Sequence, residues 1–131
     1  KKIKKKKIII VVSDYYTDLS KKITTTVIKQ LKAKYIYKIV KVPGAFEIPI
    51  TISRKIKNFD AAIAVGCIIK GKTPHFDHIA RASIDGIMRV SLDNKKPIGN
   101  CILTCLTKKQ ALERIKKGSE AAKAVTSILS I

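Results

Sequence analysis

Acidic residues are scarce: nine Asp and Glu stand against 28 Lys and Arg, giving the 131-residue chain a formal net charge of +19. Arginine is scarce too, at only Arg54, Arg81, Arg89 and Arg114, whereas base readout in nucleic acids leans on its planar fork. The other basic residues are lysines scattered along the chain, apart from the opening run KKIKKKK, Lys1 to Lys7. Lysine and isoleucine are inflated together, which reads as a biased genome more than a selected nucleic-acid surface. The opening run reads as a basic flank in solvent. A Lys-rich nucleic-acid-binding protein without catalysis is the alternative it leaves open. The charge also raises encounter rates with anionic substrates.

Cysteine is limited to Cys67, Cys101 and Cys105, an odd number lying in apolar stretches. That excludes a disulfide framework and fits buried strand residues in a reducing compartment, so a cytoplasmic location is expected. Cys101 and Cys105 lack a third and fourth partner at zinc spacing, so no metal is expected. No apolar run approaches the roughly 18–20 residues of a membrane span, and no signal peptide is visible. The chain begins at Lys1 and not at Met, so a short segment is expected ahead of it. Hydrophobic residues nevertheless make up 46%, enough for a packed core and too many for a disordered tail.

Ile8 to Val12 is a continuous β-branched run, the signature of a strand buried on both faces. Asp18 and Ser20 offer caps for a helix carrying Leu19, Ile23, Val27 and Leu31 at spacings of four. Tyr35 to Val42 reads as a second strand ended by Pro43-Gly44. A helix with Pro49 in its first turn then runs to about Lys57. Phe59 to Ile69 is a third strand broken at Gly71. The helix after it turns Ile79, Ala82, Ile87 and Val90 inward. Pro97 to Leu106 is a fourth strand, and Thr107 with Gln110 has capping-box spacing for a helix ended by Gly118. Ser119 to Ile131 is the last helix. Strands alternate with helices, without internal repeats or linkers. This predicts one α/β domain over residues 1–131, with 1–7 as its basic flank. The fold class is a three-layer sandwich, a four-stranded parallel sheet flanked by helices on both faces, of flavodoxin-like type.

Ligands of such sheets sit at the carboxyl ends of the strands, where the unusual residues of this chain collect. After the first strand comes Tyr15, a ring able to stack on a flat heterocycle or simply to cover the core edge. After the second comes VPGAFEIP, Val42 to Pro49. Its Pro-Gly turn leaves room for a ligand against the backbone, and Glu47 either caps a helix or accepts paired N–H donors from a ring amide. After the third comes GCIIKGKTPHFDH, Gly66 to His78. Lys72 and Thr73 precede Pro74 at a helix start that aims N–H groups at a phosphate. His75 lies beside that spot, and imidazole titrates near neutrality, as a proton shuttle requires. After the fourth strand, Arg114 either reaches a phosphate or stays in solvent.

Gly66 to Thr73 also matches G-x-x-x-x-G-K-[ST], so a P-loop-type nucleotide-binding protein is a further alternative. Cys67, Ile68 and Ile69 continue an apolar strand where a P-loop needs an exposed loop. Pro74 removes a helix-start donor, and no later strand ends in the acidic residue that Mg²⁺ needs.

Together VPGAFEIP, VGCIIKGKTPHFDHIA (Val65 to Ala80), PIGNCILT (Pro97 to Thr104) and QALERI (Gln110 to Ile115) resemble the 6,7-dimethyl-8-ribityllumazine synthase family of riboflavin biosynthesis. The resemblance runs from about Ile8 to Ile131. It implies a transferase that condenses 5-amino-6-(D-ribitylamino)uracil with 3,4-dihydroxy-2-butanone 4-phosphate, releasing phosphate and water, with neither metal nor organic cofactor. It implies that Tyr15 stacks on the pyrimidine and that Ala45, Phe46 and Glu47 line the ring and ribityl site. Cys67, Ile68 and Ile69 present backbone to the ring, while Lys72, Thr73 and Arg114 hold the phosphate. His75 matches the catalytic histidine. Asn100 falls where the family usually has Phe, completing the pocket from a neighbouring subunit. The family's partners are further copies of the chain, in homo-pentamers or sixty-subunit shells, with riboflavin synthase a possible companion. Departures from the pattern are Lys70 for Arg, Lys72 for a small residue, Asn100 for Phe, and a shorter stretch between Arg114 and Gly118.

Overall fold

A computed structural model describes residues 4–71 and 74–131. Four strands form one parallel sheet: β1 (Lys7–Ser13), β2 (Ile36–Val42), β3 (Ala61–Ile69) and β4 (Ile98–Cys105), in the order β2-β1-β3-β4. The helices are α1 (Thr17–Leu31), α2 (Ile48–Lys55), α3 (His75–Asn94), α4 (Lys108–Glu113) and α5 (Lys117–Leu129). Single 3₁₀ turns, Ala45–Glu47 and Ile56–Asn58, bracket α2.

The alternation of side chains along each strand sorts the core into two halves. Ile8, Ile10 and Val12 meet Leu19, Ile23, Val27 and Leu31 of α1 and Ala121, Ala122 and Val125 of α5. Ile9 and Val11 face the other way, onto Ile48, Ile52 and Ile56, with Ile87 of α3 in the same cluster. Residues Ile8 to Val11 are therefore fully shielded, which explains an uninterrupted apolar run where a half-exposed strand would alternate. Each buried Leu or Ile of α1 contributes about 1.5–3 kcal/mol, so helix and sheet hold each other. The three-layer, flavodoxin-like α/β class expected from the sequence is the observed one.

Three local expectations are corrected. The start of α1 at Tyr16 has no side-chain cap. Ser20 instead donates its hydroxyl to the Ser13 carbonyl at 2.5 Å, tying α1 to the end of β1, and Asp18 is in the first turn, where the helix dipole favours a carboxylate. Ala82 is exposed; the inward side of α3 is Ile79, Ala80, Ser83, Ile87 and Val90, the i, i+4, i+8 row that its packing on α2 selects. Gly118 does not end a helix. It lies inside α5, where a Cβ would press on Thr26 and sit 2.7 Å from the Ile23 carbonyl of α1. Pro74 stands just ahead of α3, its carbonyl accepting from the Asp77 and His78 N–H groups. Thr107 caps α4 as expected: its side chain accepts from Gln110 N–H at 3.2 Å, while the Gln110 side-chain Oε1 accepts from Leu106 N–H at 2.8 Å.

Candidate active site

The connection from β1 runs over one face through α1, and that from β2 over the other through α2. The chain ends of β1 and β3 therefore diverge, the arrangement that opens a crevice in a doubly wound sheet. A cavity of about 510 Å³ occupies it, built from Ser13 and Tyr15 after β1, the turn after β2, the end of β3 and the start of α3.

Its floor is made of small residues. A Cβ on Gly66 would meet Ser13 Cβ at 3.3 Å, Ile48 Cδ1 at 3.4 Å and Ala45 Cβ at 3.8 Å, so the 3₁₀ turn Ala45–Glu47 rests directly on β3. Its rear wall is backbone. The β1–β3 ladder stops at the pair Val12 and Val65, whereas β3 continues to Ile69. Among the described residues the edge of Cys67 to Ile69 that faces away from β4 has no strand beside it, and these residues line the cavity. Such an edge pairs with the amide edge of a planar heterocycle as it would with a peptide.

Two exposed rings flank the mouth. Tyr15 is 73% exposed and packs edge-on against Tyr16, ring centres 4.9 Å apart, while Phe46 is 58% exposed. Exposed aromatic faces at a cavity mouth supply stacking surface. Glu47 lines the cavity half-buried, and His75 is the first residue of α3. They are the carboxylate and imidazole of the lining. Burial, then neighbouring Cys105, pushes the Cys67 thiol up to about 11. Cys67 is consequently a neutral wall and not a nucleophile. Burial likewise raises Tyr16, with Tyr15 and Cys67 adding to it.

Of the residues singled out from sequence, Tyr15, Ala45, Phe46, Glu47, Cys67, Ile68, Ile69 and His75 come together around this cavity. Asn100 does not. It pairs with Ala64, three residues back from Cys67, the first lining residue of β3, and its side chain accepts from Ile102 N–H at 3.0 Å; at about 3.3 Å per residue that is some 10 Å from the lining. Arg114 does not line the cavity either. It ends α4 exposed, with Nη1 donating to Cys105 Sγ at 3.8 Å beyond the end of β4. Lys72 and Thr73 lie outside the described residues. Ser13, Tyr16, Phe76 and Ile79 also line it without having been singled out for the site, and Pro43, Gly44 and Gly71 complete the lining. For Ile79 the signal was available, since it stands one helical turn after His75.

The match to G-x-x-x-x-G-K-[ST] fails structurally, because Gly66 to Ile69 are the last residues of β3 and not a loop. Among the described residues no group of three or more His, Cys, Asp or Glu could hold a metal ion. Among them, too, no helix is long and apolar enough to cross a membrane.

An open parallel sheet with a crevice at its switch point, walled by free strand backbone and aromatic rings around one carboxylate and one imidazole, defines a small-molecule site of the doubly wound α/β class. The sequence model for 6,7-dimethyl-8-ribityllumazine synthase matches residues 5–131. The chain belongs to that family. Curated proteins named 6,7-dimethyl-8-ribityllumazine synthase are similar to it. One from Mycobacterium leprae is 40% identical over 101 residues, covering 71% of this chain and 63% of its own length. One from Methylibium petroleiphilum is 45% identical over 95 residues, covering 70% and 59%. One from Corynebacterium kroppenstedtii is 39% identical over 90 residues, covering 63% and 57%. The chain thus spans less than two thirds of the length of these relatives.

Proposed function

We propose that this chain is a lumazine-forming transferase, condensing 5-amino-6-(D-ribitylamino)uracil with 3,4-dihydroxy-2-butanone 4-phosphate. The observation that carries the reading is the backbone edge of Cys67 to Ile69, without a neighbouring strand among the described residues and lining one cavity with Tyr15 and Phe46, in a chain of this family. The edge takes the amide face of the uracil, and Tyr15 stacks on its plane. Glu47 accepts from ring or ribityl donors, and Ala45 and Phe46 flank them. The ring amine then attacks the ketone, giving a carbinolamine and, with loss of water, an imine. Phosphate leaves, the second ring closes and another water departs.

Every one of these steps moves a proton, and His75 at the start of α3 serves as the acid and base. Holding the two substrates together converts an encounter into an intramolecular step. Lys72 and Thr73 ahead of α3, and Arg114, receive the phosphate and stabilise it as it leaves. Arg114 and Asn100 stand apart from the cavity of their own chain, so they are assigned to the cavity of an adjacent copy. Residues 1–131 then act as one domain in a homo-oligomer, pentamer or sixty-subunit shell, in the cytoplasm, with riboflavin synthase as a possible companion. Apolar side chains left exposed on α3, Ile84, Met88 and Leu92, supply surface for such contacts. The chemistry calls for neither metal nor organic cofactor.

The test is turnover: the purified, folded and assembled protein, given both substrates, produces a lumazine followed by its absorbance. No product from the natural pair would reject the reading.

A further inference from the structure

The opening lysine run is left unused by the proposed chemistry, and the fold gives it company. A second concavity of about 370 Å³ lies at the amino ends of the strands, lined by Lys4 to Lys7, Lys57 and Lys96, with Asp60 as its carboxylate. The seven residues of β1 separate it from the active cavity, about 20 Å at the strand repeat.

The backbone beneath these lysines is fixed. The Lys6 carbonyl accepts from Ile36 N–H at 3.0 Å and the Lys7 carbonyl from Asp60 N–H at 2.8 Å. Asp60 Oδ2 is itself taken up by Lys7 N–H at 2.7 Å. Two ammonium groups are placed by the turns that follow α1 and α2: Lys5 Nζ donates to the Ala33 carbonyl at 2.9 Å and Lys96 Nζ to the Ile56 carbonyl at 3.0 Å. Among the described residues no lysine of the cavity is paired with a carboxylate. Helix carboxyl ends attract lysines to this edge, which accounts for Lys5 and Lys96. It leaves Lys4, Lys6, Lys7 and Lys57 lining the same concavity, where Asp60 is the one carboxylate among six lysines.

We infer that this concavity is a binding site for an oligophosphate: a compact anion carrying several phosphate groups, either free polyphosphate or the triphosphate tail of a nucleotide. Lysine ammonium groups are point charges suited to phosphate oxygens. The lining offers no arginine fork, and its one aromatic, Phe59, packs into the core. The site therefore reads charge and not bases. Its volume suits a small ligand. The inference stands apart from the proposed catalysis.

The test is calorimetric titration of the full chain with tripolyphosphate, with ATP and with orthophosphate at about 0.15 M salt, where exposed charges are screened beyond about 8 Å. Tripolyphosphate should bind saturably, at one per chain, more tightly than orthophosphate and at least as tightly as ATP, and weaken as salt rises. The pair Lys6→Glu and Lys57→Glu should lower that affinity about tenfold or more, from several weak charge contacts reversed together. The charge-matched pair Lys108→Glu and Lys109→Glu, on α4, should leave it within about twofold. Circular dichroism of both variants checks that they are folded, and lumazine formation by the first pair should be unchanged. Absence of saturable binding, equal loss in both pairs, or binding of ATP that outlasts the first pair would each overturn the inference.

Discussion

Gly118→Ala should loosen the molecule although it improves a helix. Gly118 sits in the first turn of α5 where that helix crosses α1, and the added methyl would lie 2.7 Å from the Ile23 carbonyl, 3.1 Å from Val27 Cγ2 and hard against Thr26 Oγ1. The Thr26 hydroxyl is already in use, donating to the Ile23 carbonyl at 2.7 Å and to the Ile115 carbonyl at 3.3 Å. Overpacking of this kind costs about 1–3 kcal/mol. Displacing Thr26 forfeits roughly another 1 kcal/mol of hydrogen bonding. Against that, Ala gains about 1 kcal/mol over Gly in helix propensity. The net loss is about 1–3 kcal/mol, a fall of roughly 4–12 °C in Tm for a chain of this size. Thermal unfolding followed by circular dichroism, at one fixed protein concentration, reads it. Adding Thr26→Ala should return about 1 kcal/mol, since the most crowded atom is then gone. A Gly118→Ala protein that melts at or above the parent would refute the reasoning. So would a double variant no better than the single, because Thr26 would not then be the obstructing group.

His75→Ala should slow lumazine formation by about 10²–10⁴ while weakening a non-reacting substrate analogue much less; equal losses in rate and binding would make His75 a binding residue. Stability should also decline in alkali. Burial pushes the Cys67 and Cys101 thiols up from 9.0 to about 11 and about 12, so above pH 9 the unfolded chain sheds protons that the folded chain keeps. The contribution is complete below about pH 9 and is lost as pH rises through 9–12, at up to about 1.4 kcal/mol per pH unit and thiol. Urea unfolding at pH 8 and pH 10.5 measures it against a Cys67→Ala, Cys101→Ala variant, whose decline should be shallower; identical declines would contradict it.

The layers of the fold were legible because two periodicities are written plainly in this chain. Ile8 to Val12 admits no exposed face, and Leu19, Ile23, Val27 and Leu31 admit one buried stripe. The corrections arise where a residue answers to a partner distant in sequence. Gly118 resembles a helix stop until α1 is seen lying against it, and Ser20 resembles a cap until the end of β1 offers a carbonyl. Ala82 shares a helix side with Ile79 by spacing alone, yet the row that packs on α2 passes from Ile79 through Ser83 to Ile87 and leaves Ala82 exposed. Much of the candidate site was legible from the segments after each strand, since parallel topology gathers those ends together. Ser13 and Phe76 escaped notice because nothing local marks a small hydroxyl or a helix-start ring as wall. Asn100 and Arg114 show the opposite limit: a motif preserves their place in the chain without saying whose cavity they serve.

The walls of the crevice close together beneath it around an atom left out. At position 66 the strand carries only hydrogen, and three neighbours have closed to within 3.8 Å of the empty position. A methyl there would crowd Ser13 first, at 3.3 Å, and only touch Ala45 at 3.8 Å, whereas a longer side chain would have to displace the segment bearing Glu47. The sheet's opposite face, stacked on α1 and α5, would feel nothing directly, because Gly66 points away from it. Bowl and foundation can therefore be altered separately, and the ligand's headroom can change while the layer beneath stays as it is.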